Sequence, residues 1–186
     1  MTEPKGWHSR GYPPHLDQPG LVQFVTFHLG DSLPAAALRW ICAETPDDDA
    51  ERYRRIERYL DAGHGACWLR RPEIATLVQN ALLHFDGTRY RLLAWVVMPN
   101  HVHALIETVS GFPLPGVLQS WKGFTAREAN AQLGRTGAFW HRDYYDRYIR
   151  DDAHLAAVVR YIEQNPVKAR LVERAQDWPF GSAGHR

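Results

Sequence analysis

The stretch 89-RYRLLAWVVMPNHVHALIE-107 decides the fold. Its first half, 89-RYRLLAWVVM-98, is a nearly continuous apolar run of the kind that forms a strand buried on both faces. Pro99 and Asn100 break the run, because proline has no backbone donor and restricts the residue before it. From His101 to Glu107 the chain becomes apolar again, so two strands meet at a tight corner and form a hairpin. His101 and His103 then lie on one side of the second strand, since strand side chains alternate faces with period two.

Outward from this hairpin, 72-PEIATLVQNALLHF-85 has proline at its first position and apolar residues at Ile74, Leu77, Val78, Ala81, Leu82 and Phe85. That spacing predicts an amphipathic helix packed on the sheet. Upstream, 21-LVQFVTFHL-29 is rich in β-branched and aromatic residues between Gly20 and Gly30 and reads as a strand. Downstream, 117-VLQSWKGFTAREANAQL-133 reads as a long helix ended by Gly134. The segment 139-FWHRDYYDRYIR-150 alternates like a strand, and 151-DDAHLAAVVRYIEQN-165 reads as a helix opened by acids and closed by Pro166. The order strand, helix, strand, strand, helix, strand, helix implies an α+β, ferredoxin-like sandwich with a central antiparallel sheet and an extra C-terminal helix. Residues 31–71 form a helical insertion after the first strand, containing one helix from about Pro34 to Cys42 and a second over 50-AERYRRIERYLDAG-63. Residues 1–20 read as an irregular lead-in, and the 186 residues as one domain.

With 45% hydrophobic and 23% charged residues, the composition argues against a disordered chain. No stretch approaches the roughly 18 uninterrupted apolar residues of a membrane span. The N-terminus lacks the apolar core of a secretory signal, and Cys42 and Cys67 make no zinc spacing, so the expected location is cytoplasmic. Net charge is only +1 but unevenly spread. Residues 47–61 carry six acids against four arginines, whereas 121–174 carry ten basic residues against seven acidic ones. The basic excess suits phosphate contacts and also suits an ordinary solvated face.

A His-x-His pair presents two imidazoles to a metal, and a third group must come from elsewhere. On the last helix Tyr161 and Asn165 are spaced i, i+4 and share a face. One reading is a boundary tyrosine and an asparagine cap. The other is a tyrosine nucleophile facing a metal-held phosphate, with the Asn165 amide oxygen as third ligand. A free phenol ionises near pH 10, so it would need a cation to neutralise the phosphodiester.

Five segments carry a family resemblance: 95-WVVMPNHVHALIE-107, 120-SWKGFTAREAN-130, 139-FWHRDYYDRYIRDDAHL-155, 161-YIEQNPVKARLV-172 and 177-DWPFGSA-183. In order and spacing they resemble the REP-associated tyrosine transposases, relatives of the single-tyrosine insertion-sequence transposases within the HUH nucleases. The resemblance covers roughly residues 21–183. It implies a metal-dependent single-stranded DNA endonuclease and strand transferase acting on palindromic repeats that fold into hairpins, in a nucleoid-associated setting. His101 and His103 match the HUH histidines, Tyr161 the nucleophile, and Asn165 the carboxamide that completes the site, with Mg²⁺ or Mn²⁺ as cofactor. The implied chemistry is attack by the Tyr161 hydroxyl, giving a 5′-phosphotyrosine link and a free 3′-hydroxyl without a nucleotide cofactor. Consistently, the chain has no Gly-rich phosphate-binding loop. Trp121, Trp140, Tyr144 and Tyr145 are expected to stack on such DNA, and Lys122, Arg127, Arg142, Arg147, Arg150 and Lys168 to meet its backbone.

Two alternatives stand beside this reading. A phosphoesterase with a His-x-His-x-His strand would need histidine at 105, where this chain has Leu105. A non-catalytic, sequence-specific nucleic-acid-binding protein on the same fold would leave the histidine pair and Tyr161 unexplained.

Overall fold

The computed structural model describes residues 6–9, 14–17 and 20–185. Strands are β1 (Gly6–Ser9), β2 (Pro14–Asp17), β3 (Val22–His28), β4 (Tyr90–Val97), β5 (His101–Thr108) and β6 (Tyr145–Tyr148). Helices are α1 (Ala35–Glu44), α2 (Asp49–Asp61), α3 (Pro72–Leu83), α4 (Leu114–Leu133) and α5 (Asp152–Lys168).

The central sheet has the order β4-β5-β3-β6 with every neighbouring pair antiparallel, the α+β arrangement the element order implied. One face carries α3 and α4 and holds the larger core, including Val25, Phe27, Val78, Leu82, Val102 and Ile106. The other face carries α5, whose Ile162 packs with Phe24, Val96 and Leu105. Pairing of β3 with β5 sets His28 opposite His101, Thr26 opposite His103 and Phe24 opposite Leu105, all on the α5 face. Along β4 an irregularity between Leu92 and Ala94 changes the parity: Leu92 belongs to the larger core, while Ala94 and Val96 face α5. A two-residue alternation cannot survive such a bulge, so a run apolar on both faces concealed it.

Both edges of the sheet are guarded. Along β4, the Val97 N–H donates to the Phe180 carbonyl at 2.8 Å and Trp178 Nε1–H to the Val97 carbonyl at 3.1 Å. Gly181 bridges Val96, and a Cβ there would stand 3.3 Å from the Trp95 carbonyl, so 177-DWPFGSA-183 covers an otherwise open edge. At the other edge β2 lies beside β6.

Three expectations need correction. The lead-in is not wholly irregular: β1 and β2 pair antiparallel, with Gly6 opposite Asp17. The rest of residues 1–19 lies outside the described residues. Second, α5 does not stop at Pro166 but runs to Lys168. Proline removes one donor near the helix end, where the last turn is closed instead by Ala169 N–H to Asn165 carbonyl (3.0 Å) and Arg170 N–H to Val167 carbonyl (2.9 Å). Asn165 is thereby kept helical, on the same face as Tyr161. Third, Trp121, Trp140, Tyr144 and Tyr145 are buried, at 2%, 6%, 4% and 4% exposure, and cannot stack on DNA from these positions.

Trp121 belongs to the core of the α3/α4 face. Its Nε1–H donates to the Tyr90 hydroxyl at 2.9 Å, which donates onward to the Leu82 carbonyl at 2.6 Å. Trp121→Ala is expected to cost about 3–5 kcal/mol of unfolding free energy, measured in urea, a loss of packing rather than of a DNA contact. Among the described residues no helix is long and apolar enough to cross a membrane.

Candidate active site

The site lies on the α5 face, at the end of β5 that begins with His101. Asn100 fixes the corner: its side-chain amide donates to the carbonyls of Leu60 (3.1 Å) and His64 (2.9 Å), tying the hairpin to the end of α2. With both its donor functions directed there, Asn100 Oδ1 is left to accept from His101 Nδ1 at 2.8 Å. A neutral His101 protonated on Nδ1 presents a bare Nε2.

His101 Nε2 and His103 Nε2 are 3.2 Å apart, and both rings are buried. Burial pushes His103 down to about 3, with Lys168 acting in the same direction. It also holds His101 well below the ordinary histidine range, helped by His103 and His28. Both rings are therefore neutral near pH 7. His103 Nδ1 meets the Thr26 hydroxyl at 2.7 Å, and Thr26 meets the Tyr53 hydroxyl at 3.1 Å. Because a hydroxyl both donates and accepts, Thr26 supports either tautomer of His103. With the proton on Nε2, His103 donates to His101; with the proton on Nδ1, two bare nitrogens converge. A separation near 3 Å is what two adjacent positions around an octahedral ion require when each bond is about 2.1 Å.

Two helices bring oxygen atoms to the pair. Asp61, at the end of α2, places Oδ1 3.5 Å from His101 Nε2, and ligand atoms of Asp61, His101 and His103 all lie within 4.8 Å of one another. Burial pushes the Asp61 carboxyl up to about 6, opposed by Lys168 and by the Asn165 amide beside it. Asn165 is fully buried, yet neither its Oδ1 nor its Nδ2 reaches a hydrogen-bond partner among the described residues, and the same holds for Asp61 Oδ1. Unsatisfied buried acceptors beside two imidazoles are costly in themselves. They become favourable around a cation, so these residues fit a divalent metal. A cavity of about 100 Å³, lined in part by Asn100, Arg70 and Leu171, reaches Asp61 and His101 of this set.

Tyr161 stands next to this cluster. Its ring meets His103 edge-on at 5.4 Å between centroids and Phe24 at 5.8 Å, and Lys168 Nζ lies 4.6 Å over it. The hydroxyl makes no aligned hydrogen bond among the described residues. Burial holds the phenol well above its usual range, and the carboxylates of Glu57 and Asp61 push the same way. Glu57 is itself raised by burial to about 7, with Asp61 adding and Arg147, Tyr161 and Lys168 opposing.

The sequence-derived residues thus divide. His101, His103, Asn165 and Tyr161 come together, flanked by Lys168 and Arg147; the latter covers the Tyr53 ring at 5.0 Å. Arg142, Arg127 and Arg150 are exposed, with Arg127 Nε on Glu128 at 2.8 Å. Lys122 donates to the carbonyls of Arg142 and Asp143 at 2.8 and 3.3 Å, which ties α4 to the segment before β6. Sequence reasoning missed Asp61 and Glu57. Their signal was present as the spacing Tyr53, Glu57, Asp61, one face of α2, but nothing local places that face over the histidines.

Thr26→Val tests the hydrogen-bond chain. Valine keeps the shape and cannot accept from His103 Nδ1, so Mn²⁺ affinity by titration calorimetry is expected to fall about 10–100-fold.

Comparison with known proteins bears on the family and the fold. The family model described as "Transposase IS200 like" matches residues 72–165, half of the chain. A Haemophilus influenzae protein bearing the name REP-associated tyrosine transposase is 29% identical over 103 residues, covering 50% of this chain and 58% of that protein. The chain thus spans less than two thirds of that relative's length. The REP-associated tyrosine transposase of Escherichia coli K12 is 28% identical over 127 residues, covering 63% of this chain and 71% of the relative. A solved structure of a REP-associated tyrosine transposase bound to a REP hairpin shares the fold, with TM-score 0.62 and 18% identity over 95% of this chain and 84% of that one.

Proposed function

Since this chain belongs to the IS200-like transposase family, we propose that it is a single-stranded DNA endonuclease and strand transferase that cuts at hairpin-forming repeats through a phosphotyrosine link at Tyr161. One observation carries the proposal: a phenol hydroxyl with no aligned partner among the described residues stands beside two converging imidazoles and two buried, unsatisfied oxygens, Asp61 Oδ1 and Asn165 Oδ1.

His101, His103, Asp61 and Asn165 would hold the ion. Two imidazoles, a carboxylate and an amide suit Mn²⁺ at least as well as Mg²⁺, which favours all-oxygen shells. When bound, such a cation neutralises phosphate charge and orients its oxygens for displacement. Asn100 sets the tautomer of His101, and Thr26 can accept from His103 Nδ1 in the tautomer that leaves both Nε2 atoms bare toward the site. Phe24 and His103 hold the Tyr161 ring edge-on, which fixes the line along which its hydroxyl approaches phosphorus. Lys168, over that ring, stabilises negative charge developing on the phenol oxygen. Attack at phosphorus leaves the 5′-phosphate on Tyr161 and frees a 3′-hydroxyl, and return of a 3′-hydroxyl reverses the step. Arg147, at the rim, and the exposed Arg127, Arg142 and Arg150 are proposed backbone contacts. The hairpin held by the structural relative supports the substrate class. A DNA substrate is in turn the support for a cytoplasmic, nucleoid-associated location.

The test is incubation with a single-stranded palindromic oligonucleotide and Mn²⁺, followed by denaturing electrophoresis. A slower protein band that disappears with EDTA supports the reading. Retention of the hairpin with no adduct under any divalent ion would leave a nucleic-acid-binding protein and end the enzyme proposal.

A further inference from the structure

We propose that Glu57 of α2 is the general base that removes the Tyr161 proton as the phenol attacks the phosphodiester. The inference rests on Tyr161 being the nucleophile and adds to that reading a role for the helical insertion.

Tyr53, Glu57 and Asp61 are spaced by four residues and form one stripe on the surface of α2. The stripe is fixed at both ends against the central sheet: Tyr53 by Thr26 at 3.1 Å, Asp61 by its approach to His101 at 3.5 Å. Ile56 and Leu60, on the adjoining face, are buried in a cluster with Leu33, Ile41 and Tyr145, which locks the rotation of the helix. Glu57 is therefore held midway between β3 and the histidines, on the side where α5 brings Tyr161. Phe24 packs edge-on against both Tyr53 (6.4 Å) and Tyr161 (5.8 Å), so the Tyr161 ring lies along this stripe, and Glu57 is the carboxylate within it that acts most on the phenol proton.

Chemistry then selects Glu57. A phenol needs a proton acceptor to attack near neutral pH. His101 and His103 have their Nδ1 atoms engaged with Asn100 and Thr26 and their Nε2 atoms committed to the metal site. Asp61 is committed likewise, the Asn165 amide is not basic, and Lys168 is a cation. Arg147, which covers Tyr53, lies near enough to Glu57 to favour its ionised form.

In the step itself the Tyr161 O–H bond breaks and the proton passes to a Glu57 carboxylate oxygen. The phenol oxygen bonds to phosphorus while the P–O3′ bond breaks, and the leaving 3′-oxygen takes a proton from water. In the reverse direction a 3′-hydroxyl attacks, its proton passes to water, and Glu57 returns its own to the departing phenol oxygen.

The experiment compares single-turnover rates of adduct formation on one hairpin oligonucleotide with Mn²⁺. Glu57→Gln keeps the shape of the side chain and is expected to slow the reaction by about 10²-fold or more. Hairpin binding and the Mn²⁺-dependent rise in thermal midpoint should stay as in the wild type. A structural role is separated by placing 3,5-difluorotyrosine at position 161, whose phenol ionises near neutral pH and needs a base less. The Glu57→Gln defect should then shrink to less than about 10-fold. Wild-type rates in Glu57→Gln, or a defect of undiminished size with the fluorinated residue, would overturn Glu57 while leaving the nucleophile standing. Absence of any adduct with the wild type would overturn both readings.

Discussion

With Tyr161 replaced by Phe, the protein is expected to fold, to retain hairpin DNA and to form no covalent adduct, a loss on the order of 10⁴-fold or more in cleavage. The substitution removes one oxygen and nothing else. Phenylalanine keeps the edge-on contacts with Phe24 and His103, and the missing hydroxyl had no aligned partner to abandon among the described residues. A buried hydroxyl with no aligned hydrogen bond among the described residues, beside two carboxylates, contributes little to stability, so the thermal midpoint should be unchanged or slightly raised. That combination separates the chemical role of the residue from a packing role.

The second large effect is loss of the metal. Saturation at about 100 times the dissociation constant adds about 2.7 kcal/mol to the native state. For a chain of this length that raises the thermal midpoint by about 5–10 °C. His101→Ala and His103→Ala should each abolish the Mn²⁺-induced rise and all metal-dependent cleavage. Each also removes one of two neutral nitrogens 3.2 Å apart, so the metal-free fold should survive either change. A full Mn²⁺ shift in either variant would place the ion elsewhere. Asp61→Asn is expected to be milder, because the amide keeps an oxygen in place and loses only its charge.

How much of this was legible in the sequence follows from how local each signal is. The β4–β5 hairpin could be read because Pro99 and Asn100 interrupt an apolar run, and the pairing of the histidines on one face follows from strand geometry. Tyr161 and Asn165 share a helical face for a similarly local reason. Pro166 misled the reading of α5, since one missing donor in the last turn is replaced by bonds that tighten the end. The aromatic and basic composition of 121–150 suggested nucleic-acid contact, but Trp121, Tyr144 and Tyr145 pack inward while the arginines remain outside. Composition alone does not state direction. Least legible was the insertion: α2 reads as a charged surface helix, and only tertiary packing through Ile56 and Leu60, with Asn100 clasping its end, turns Glu57 and Asp61 toward the histidines.

Which atom becomes bonded to DNA decides the mechanism most directly. Trypsin cuts after Arg160 and Lys168, so Tyr161 lies in the fragment 161-YIEQNPVK-168 with no other tyrosine, whereas Tyr144 and Tyr145 share 143-DYYDR-147. Nuclease trimming and tryptic digestion of the trapped adduct, followed by tandem mass spectrometry, should find the nucleotide phosphate on Tyr161. Attachment to Tyr53, Tyr144, Tyr145 or Tyr148, or to no tyrosine, would contradict the account.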